Sequence, residues 1–477
     1  MESYDAVIVG SGPNGFAAAI TMQRQGLSTL IVEGADTIGG GMRTKELTLH
    51  GFKHDICSAI HPMAIASPFF KTLPLQERGL AFIQAKYAAA HPLDNGEVGL
   101  LHRDFEETLR DLGVDSDAYS SLLKPVVHKL DSLLLDTMGP LRFPKRPIDL
   151  AEFGLRALLP ATWNAKQFKT EKAKALWGGM VAHGIQPLSN WTSSAIGMML
   201  MAVGNRYGWP IPKGGSQSIA DALASYYLSI GGKIQTGNWV KDIRALPAHK
   251  TLILDVTPKQ LLTLEGLELT TNYKRQLENY RYGMGVFKID WALSESTPFK
   301  DGFSQHAATV HLGNTFAEIA ENELRSHQGH HVEKPFVLFA QPSQFDGTRA
   351  PEGKHTAWAY CHVPNGSTVN YEQAIENQVE RFAPGFKDTI LAKHTFSPLE
   401  MQAYNPNYFG GDINGGIMDL AQLYTRPTLS LTPYRTSNKK VYISSSSTPP
   451  GGGVHGMCGY HAAKVALKDH FDIEVNL

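Results

Sequence analysis

The chain is short of cysteine, of unbalanced charge and of long apolar runs, and each shortage removes a class of function. It has three cysteines, Cys57, Cys361 and Cys458, far apart and without a CxxC. That excludes a local zinc knuckle or dithiol redox pair and suits a reducing, cytoplasmic setting. Lysine and arginine number 44 against 45 acidic residues, a formal net charge of −1, so nothing electrostatic points to a nucleic-acid partner. The longest strongly apolar stretch, AIGMMLMAVG at 195–204, is well short of the ~20 residues a spanning helix needs. MESYDAVIVG lacks a basic region followed by an apolar run, so no signal peptide is expected. There is no GxSxG, HExxH or Walker A pattern, and no separate NADPH domain is expected. His327, His330 and His331, in SHQGHH, have no acidic partner and no helical register. They read as a solvated loop, and no metal is expected.

What is present points to a nucleotide. Tyr4 to Val9 is a short apolar run of the buried parallel-strand type. Gly10, Gly12 and Gly15 then spell GxGxxG, an Ala-rich helix follows to Arg24, and Gly26 stands where it would stop. A second apolar strand, Ser28 to Val32, ends in Glu33. The first glycine permits the tight turn, the second lets backbone approach a pyrophosphate, and the third lets helix and strand pack closely. The helix start, with Pro13 and Asn14, offers free N–H groups to that anion. Glu33 is placed for adenosine ribose hydroxyls. This motif leaves NAD and FAD open. The next stretch favours FAD: Gly39, Gly40 and Gly41, followed by Arg43 and Thr44, make a second glycine turn with a guanidinium for the pyrophosphate. The bland alternative is a loop with one surface arginine.

Further along, DAYSSLLKPVVHKLDSLLLDTMG and SSAIGMMLMAVG have helical spacing. Ser216 is a candidate N-cap for a helix to Ile230, closed by Gly231-Gly232 and followed by the strands KIQTGN and TLILDVTP. From about residue 284 the pattern changes. GVFKIDWAL, AATVHLG, PFVLFAQP and HTAWAYCHVP are short, β-branched or aromatic, and bounded by turn residues, as in an antiparallel sheet. Trp358, Tyr360 and His362 share one face of it, suited to floor a large apolar cavity or to fill a core. Near the C-terminus VYISSSS leads through TPPGGG into a helix, VHGMCGYHAAKVALKDH.

VIVGSGPNGFAAA, IVEGADTIGGGMRT and TPPGGGVHGMCGYHAA together resemble the FAD-dependent phytoene desaturase-related oxidoreductases, within the wider amine-oxidase-like flavoprotein class. The resemblance runs the whole chain, strongest at both ends. It implies FAD as cofactor and an α/β fold: a Rossmann-like FAD-binding domain with an inserted substrate domain of mostly antiparallel sheet plus helices. The FAD-binding domain would comprise residues 1–75, 210–265 and 425–477. The substrate domain would have a helical part at 76–209 and an antiparallel-sheet part at 266–424. The resemblance also implies backbone bonds from Val240 to the adenine, and a flavin lined by Gly453, Val454, Gly456 and Met457. Where Ser445 and Pro449 stand, many carotenoid desaturases have Gly and His, which weakens the transfer of a carotenoid substrate.

No acid–base pair is visible for catalysis. Three weak candidates stand out: His61 in SAIHP, Lys288, and His455 inside the C-terminal motif. Related amine oxidases place a lysine near the flavin, but Lys288 with Asp290 reads better as an exposed pair on the sheet, and His61 as a capped structural histidine. Cys458 is not expected to link to the flavin. The expected reaction is hydride transfer to flavin N5 from an apolar, isoprenoid or lipid-like substrate, with oxygen or a quinone as acceptor. Rival readings are a flavin-dependent isomerase or reductase, an amine oxidase, or an FAD-bound binding or assembly protein. Residues 152–174 mix Phe153, Leu155, Leu158 and Trp163 with Arg156, Lys166, Lys169, Lys172 and Lys174. That mixture suits a peripheral membrane contact, or an ordinary amphipathic helix.

Overall fold

The apolar runs become strands, and the strands sort into two main sheets. The computed structural model describes residues 3–423 and 425–477. Residue 424, where the expected sheet segment ends, lies outside the described residues, as do residues 1 and 2. In chain order the strands of the two main sheets are β1 (Ser3–Val9), β2 (Thr29–Val32), β3 (Tyr87–Pro92), β4 (Val98–Leu101), β5 (Lys233–Gln235) and β6 (Ala248–Leu254). They continue with β7 (Gly285–Leu293), β8 (Ala307–Leu312), β9 (Val337–Ala340), β10 (His355–Val363), β11 (Ile390–Phe396) and β12 (Val441–Ile443). The helices that matter here are α1 (Pro13–Gln23), α2 (Pro147–Ala157), α3 (Glu171–Ala182), α4 (Ser193–Tyr207), α5 (Gln217–Ser229) and α6 (Met457–Phe471).

The first sheet has the order β12-β6-β1-β2-β5, parallel throughout. Its strands are apolar on both faces because both faces are covered. Ala6, Ile8 and Ile31 face a core shared with α1, α5 and α6, while Val7, Leu30 and Leu252 face Leu261, Tyr273 and Leu277. A Cβ at Gly459 of α6 would overlap the Asn14 carbonyl oxygen of α1, so the first and last helices touch backbone to backbone.

The second sheet has the order β11-β7-β10-β9-β8-β3-β4 and is antiparallel except for the β3–β8 pair. One face buries Phe287, Ile289 and Trp291 against Tyr371, Ile375 and Val379. The other carries Trp358 and Tyr360, whose rings stack 5.5 Å apart.

Four expectations need correction. The stretch 76–209 is not only helical, since β3 and β4 lie in it and complete the second sheet. Lys288 and Asp290 are not exposed: they pair with each other in the interior, on the Trp358 side of β7. Residues 152–174 do not form one helix. α2 ends at Ala157, a short helix spans Ala161–Asn164 after Pro160, and α3 begins only at Glu171. Proline cannot continue a helix through its own position, which accounts for the break. Ser216 precedes α5 but does not cap it, because its Oγ donates to the Ser58 carbonyl at 2.5 Å. His327, His330 and His331 are exposed, and among the described residues no His, Cys, Asp and Glu cluster is arranged to hold a metal. Among them, too, no helix is long and apolar enough to cross a membrane.

Candidate active site

A single cavity of about 640 Å³ begins at the glycine turns and passes into the interface between the two sheets. Gly10, Gly12, Pro13, Asn14, Glu33, Gly40, Gly41, Arg43, Val240, Gly453 and Val454 all line it. Segments separated by more than 400 residues thus meet because β1 and β12 flank β6 in one sheet.

The remaining expected residues stand behind this wall. Gly15 packs under the turn, where a Cβ would overlap the Gly10 carbonyl oxygen, and its amide donates to Asp255 Oδ2 at 3.0 Å. Thr44 Oγ1 donates to Asp55 Oδ1 at 2.6 Å and accepts from the Gln217 amide at 3.1 Å, tying the second glycine turn to α5. Gly456 is pressed against Phe70 and Ala17. Met457 is buried, and its amide donates to His455 Nδ1 at 3.0 Å. None of these four is part of the cavity lining.

Charge at the mouth is already organised. Glu33 Oε2 accepts from the Ser11 amide at 2.9 Å, and Oε1 accepts from the Ala35 amide at 2.9 Å. Arg43 Nη2 lies 3.2 Å from Glu33 Oε1 and donates to the Thr37 carbonyl at 2.7 Å, while Nη1 meets the Tyr404 hydroxyl at 3.3 Å. The arginine expected to face a pyrophosphate therefore braces the Glu33 carboxylate. Asp255 was not singled out in the sequence, although it ends TLILD on β6 as Glu33 ends TLIVE on β2. Desolvation raises its carboxyl to about 7, the Gly15 amide opposes that shift, and Glu33 adds to it.

A dinucleotide suits this cradle. The wall at Gly12 and Gly40 is bare backbone, and a Cβ at Gly40 would come 3.0 Å from Gly12 Cα. Asn14 Oδ1 is buried with no protein partner at the start of α1, where the helix also presents its free N–H groups. Gly10, Gly12, Pro13 and Asn14 would hold a pyrophosphate, Glu33 a ribose, Val240 with Trp239 the base, and Gly453 with Val454 the ring at the far end.

Beyond Val454 the lining turns apolar: Ile60, Met63, Leu200, Leu338, Trp358 and Tyr360. Of the catalytic candidates only His61 reaches the cavity. Its Nε2 lies 2.7 Å from Ser216 Oγ, and burial, only partly offset by Asp55, brings it down to about 4. His455 caps the first turn of α6 through Nδ1, with a pKa lowered by burial to about 4. Lys288 is enclosed beneath Trp358 and Phe396, 6.0 Å from each ring centre. Cys458 is buried away from the lining, and burial raises its thiol to about 11. Cys57 and His183 do line the cavity and carried no sequence signal. Burial pushes the Cys57 thiol up and His183 down to about 3.

Comparison with known proteins agrees with this arrangement. Residues 8–72 match the family described as an NAD(P)-binding Rossmann-like domain. The mouse protein named pyridine nucleotide-disulfide oxidoreductase domain-containing protein 2 is 25% identical over 98% of this chain and 94% of its own length. A phytoene desaturase (lycopene-forming) of Pantoea ananas is 22% identical over 96% of this chain and 98% of its own. Among solved structures, putrescine oxidase bound to putrescine superposes with a TM-score of 0.62 at 15% identity, covering 99% of this chain and all of that one. The fold is that of the phytoene desaturase-related and amine-oxidase-like oxidoreductases, and FAD is the cofactor its cradle is built for.

Proposed function

We propose that this FAD-dependent oxidoreductase takes hydride from an apolar substrate, isoprenoid or lipid-like, held in the chamber beyond Val454. The observation that carries this reading is the continuity of the cavity from the glycine cradle into a pocket walled by Leu200, Leu338, Trp358 and Tyr360. Bound FAD supplies the hydride acceptor. The chain supplies apolar area, at about 25 cal/mol per Å² buried, and a dry wall around the reacting carbon. It holds the titratable groups of this chamber uncharged. His61 and His183 lie at about 4 and 3, and desolvation raises the hydroxyl of Tyr360. Such a lining suits removal of hydride from a carbon beside a conjugated system, which needs no strong base. Anaerobic titration with apolar isoprenoids should bleach the flavin absorbance of the purified holoprotein. Bleaching by diamines instead, with peroxide released in air, would favour the amine-oxidase alternative.

A second observation bears on where such a substrate is met. Phe143, Ile148, Leu155 and Trp163 are 86%, 80%, 75% and 53% exposed. Ile148 and Leu155 stand two turns apart on α2, and the Trp163 and Trp191 rings lie 5.6 Å from each other. Arg142, Lys145, Arg146 and Lys166 are interleaved with them. This composition supports a peripheral contact with an anionic bilayer, in which apolar side chains enter the headgroup boundary and basic ones stay outside. The wild-type protein should sediment with phosphatidylglycerol-containing vesicles, and Phe143→Glu with Ile148→Glu should lower the bound fraction at least fivefold. Unchanged sedimentation of that variant would remove the idea.

A further inference from the structure

Part of the chamber wall is not apolar. His183, at the C-terminal end of α3, Thr309 on β8 and Trp209 all reach the lining there. His183 Nε2 lies 3.0 Å from Nε2 of His311, which is fully enclosed on β8. Gly179 makes room for that second ring, since a Cβ there would stand 2.5 Å from His311 Nδ1. Burial keeps both imidazoles neutral, so one proton is shared between the facing nitrogens.

Which ring holds that proton follows from what surrounds the other nitrogens. His311 Nδ1 is buried with no partner. Folded proteins rarely bury an N–H without an acceptor, whereas a bare lone pair is better tolerated. His311 therefore carries its proton on Nε2 and donates it to His183. His183, with its Nε2 lone pair engaged, must carry its own proton on Nδ1. No described residue accepts from that nitrogen. Thr309 is in the same condition: its Oγ1 accepts from the Trp209 indole N–H at 3.0 Å, which leaves its O–H without a protein acceptor. The Trp209 ring lies 5.8 Å from the His183 ring, so the two spare donors converge around one indole.

We propose that His183 and Thr309 form an oxygen-recognition site, and that the substrate is an apolar molecule carrying one neutral acceptor oxygen, a carbonyl, at the end that meets them. Two neutral donors without a counter-charge fit a carbonyl. A carboxylate would bury an unpaired charge, and a pure hydrocarbon would leave both donors unpaired. The proposal rests on the apolar-substrate reading above and narrows it.

Binding of matched probes to the FAD-loaded protein tests it without turnover, through the fluorescence of Trp209 and Trp358. The probes are 2-undecanone, n-undecane and decanoate, each corrected for its transfer from water. 2-Undecanone should bind roughly threefold to tenfold tighter than n-undecane. Thr309→Val, nearly the same shape, and His183→Phe should each erase most of that preference while leaving n-undecane unchanged. His183→Gln, which restores an N–H, should recover part of it. Equal binding of ketone and alkane to the wild type, a preference that survives both substitutions, or tighter binding of decanoate would overturn the proposal. Failure of all three probes to bind would instead overturn the apolar-chamber reading beneath it.

Discussion

Replacing Gly459 by alanine should destabilise the protein by about 3 kcal/mol and strip it of cofactor. The added methyl would overlap the Asn14 carbonyl oxygen and stand 3.0 Å from the Ala18 amide nitrogen, so it meets backbone, which no rotamer change can move aside. α1 and α6 must then separate. α1 carries Pro13 and Asn14 on the cavity wall, and His455 sits just before α6, next to Val454 on the same wall. Thermal unfolding and the FAD-to-protein ratio read both effects. Gly154, half-buried on α2 with nothing within 4 Å of a Cβ, provides the control. Its alanine variant should be neutral or slightly more stable, because alanine is the better helix former by about 1 kcal/mol. Equal melting temperatures for the two variants would contradict the close helix contact.

Asp255→Asn should have the opposite sign and should flatten a pH dependence. The Asp255 carboxyl lies at the start of α1, where a pyrophosphate is expected, with a pKa raised by desolvation to about 7. In the unfolded chain it would titrate near ~3.9. Between those values the native state holds a proton that the unfolded state has lost, so this group lowers stability as pH rises from about 4 to 7. The full cost, on the order of 4 kcal/mol, is present above that window. A bound pyrophosphate adds negative charge and raises the carboxyl pKa further, so cofactor binding takes up a proton above pH 7. The FAD dissociation constant should therefore rise by up to about tenfold per pH unit from 7 to 8 in the wild type. It should stay flat, and lower at pH 8, in the asparagine variant. Fluorescence titration with FAD at pH 6, 7 and 8 checks this, and equal slopes in the two proteins would refute it.

How much could be read beforehand varied with the physics of each part. β1, β2, β6 and β12 were legible because strands buried on both faces are continuous apolar runs, and β7 to β10 because β-branched and aromatic residues dominate them. β3 was hidden: YAAAHP has no β-branched residue, and it is a strand because β8 and β4 pair with it. Lys288 and Asp290 looked solvent-facing because polar alternation usually marks water. Here their side of the sheet faces a second lobe, and the two charges neutralise each other inside it. At the site, the glycine turns and Glu33 followed from local spacing. The His183–His311 pair did not, because 128 residues separate the partners and neither has a distinctive neighbourhood in sequence. Asp255 lay between these cases, at a strand end that repeats the pattern of Glu33.

The parallel sheet has a consequence for biosynthesis. β6 joins β1 to β12, so the central ladder stays incomplete until residue 443 has been made. Translation proceeds at about 5–20 residues per second, so β1 and the glycine turn wait on the order of tens of seconds before β12 and α6 arrive. Throughout that interval the apolar flank of β6 is an open edge, and the surface of α1 that receives Gly459 is bare. Until then the nascent polypeptide carries an unpaired apolar edge of the kind that holding chaperones cover.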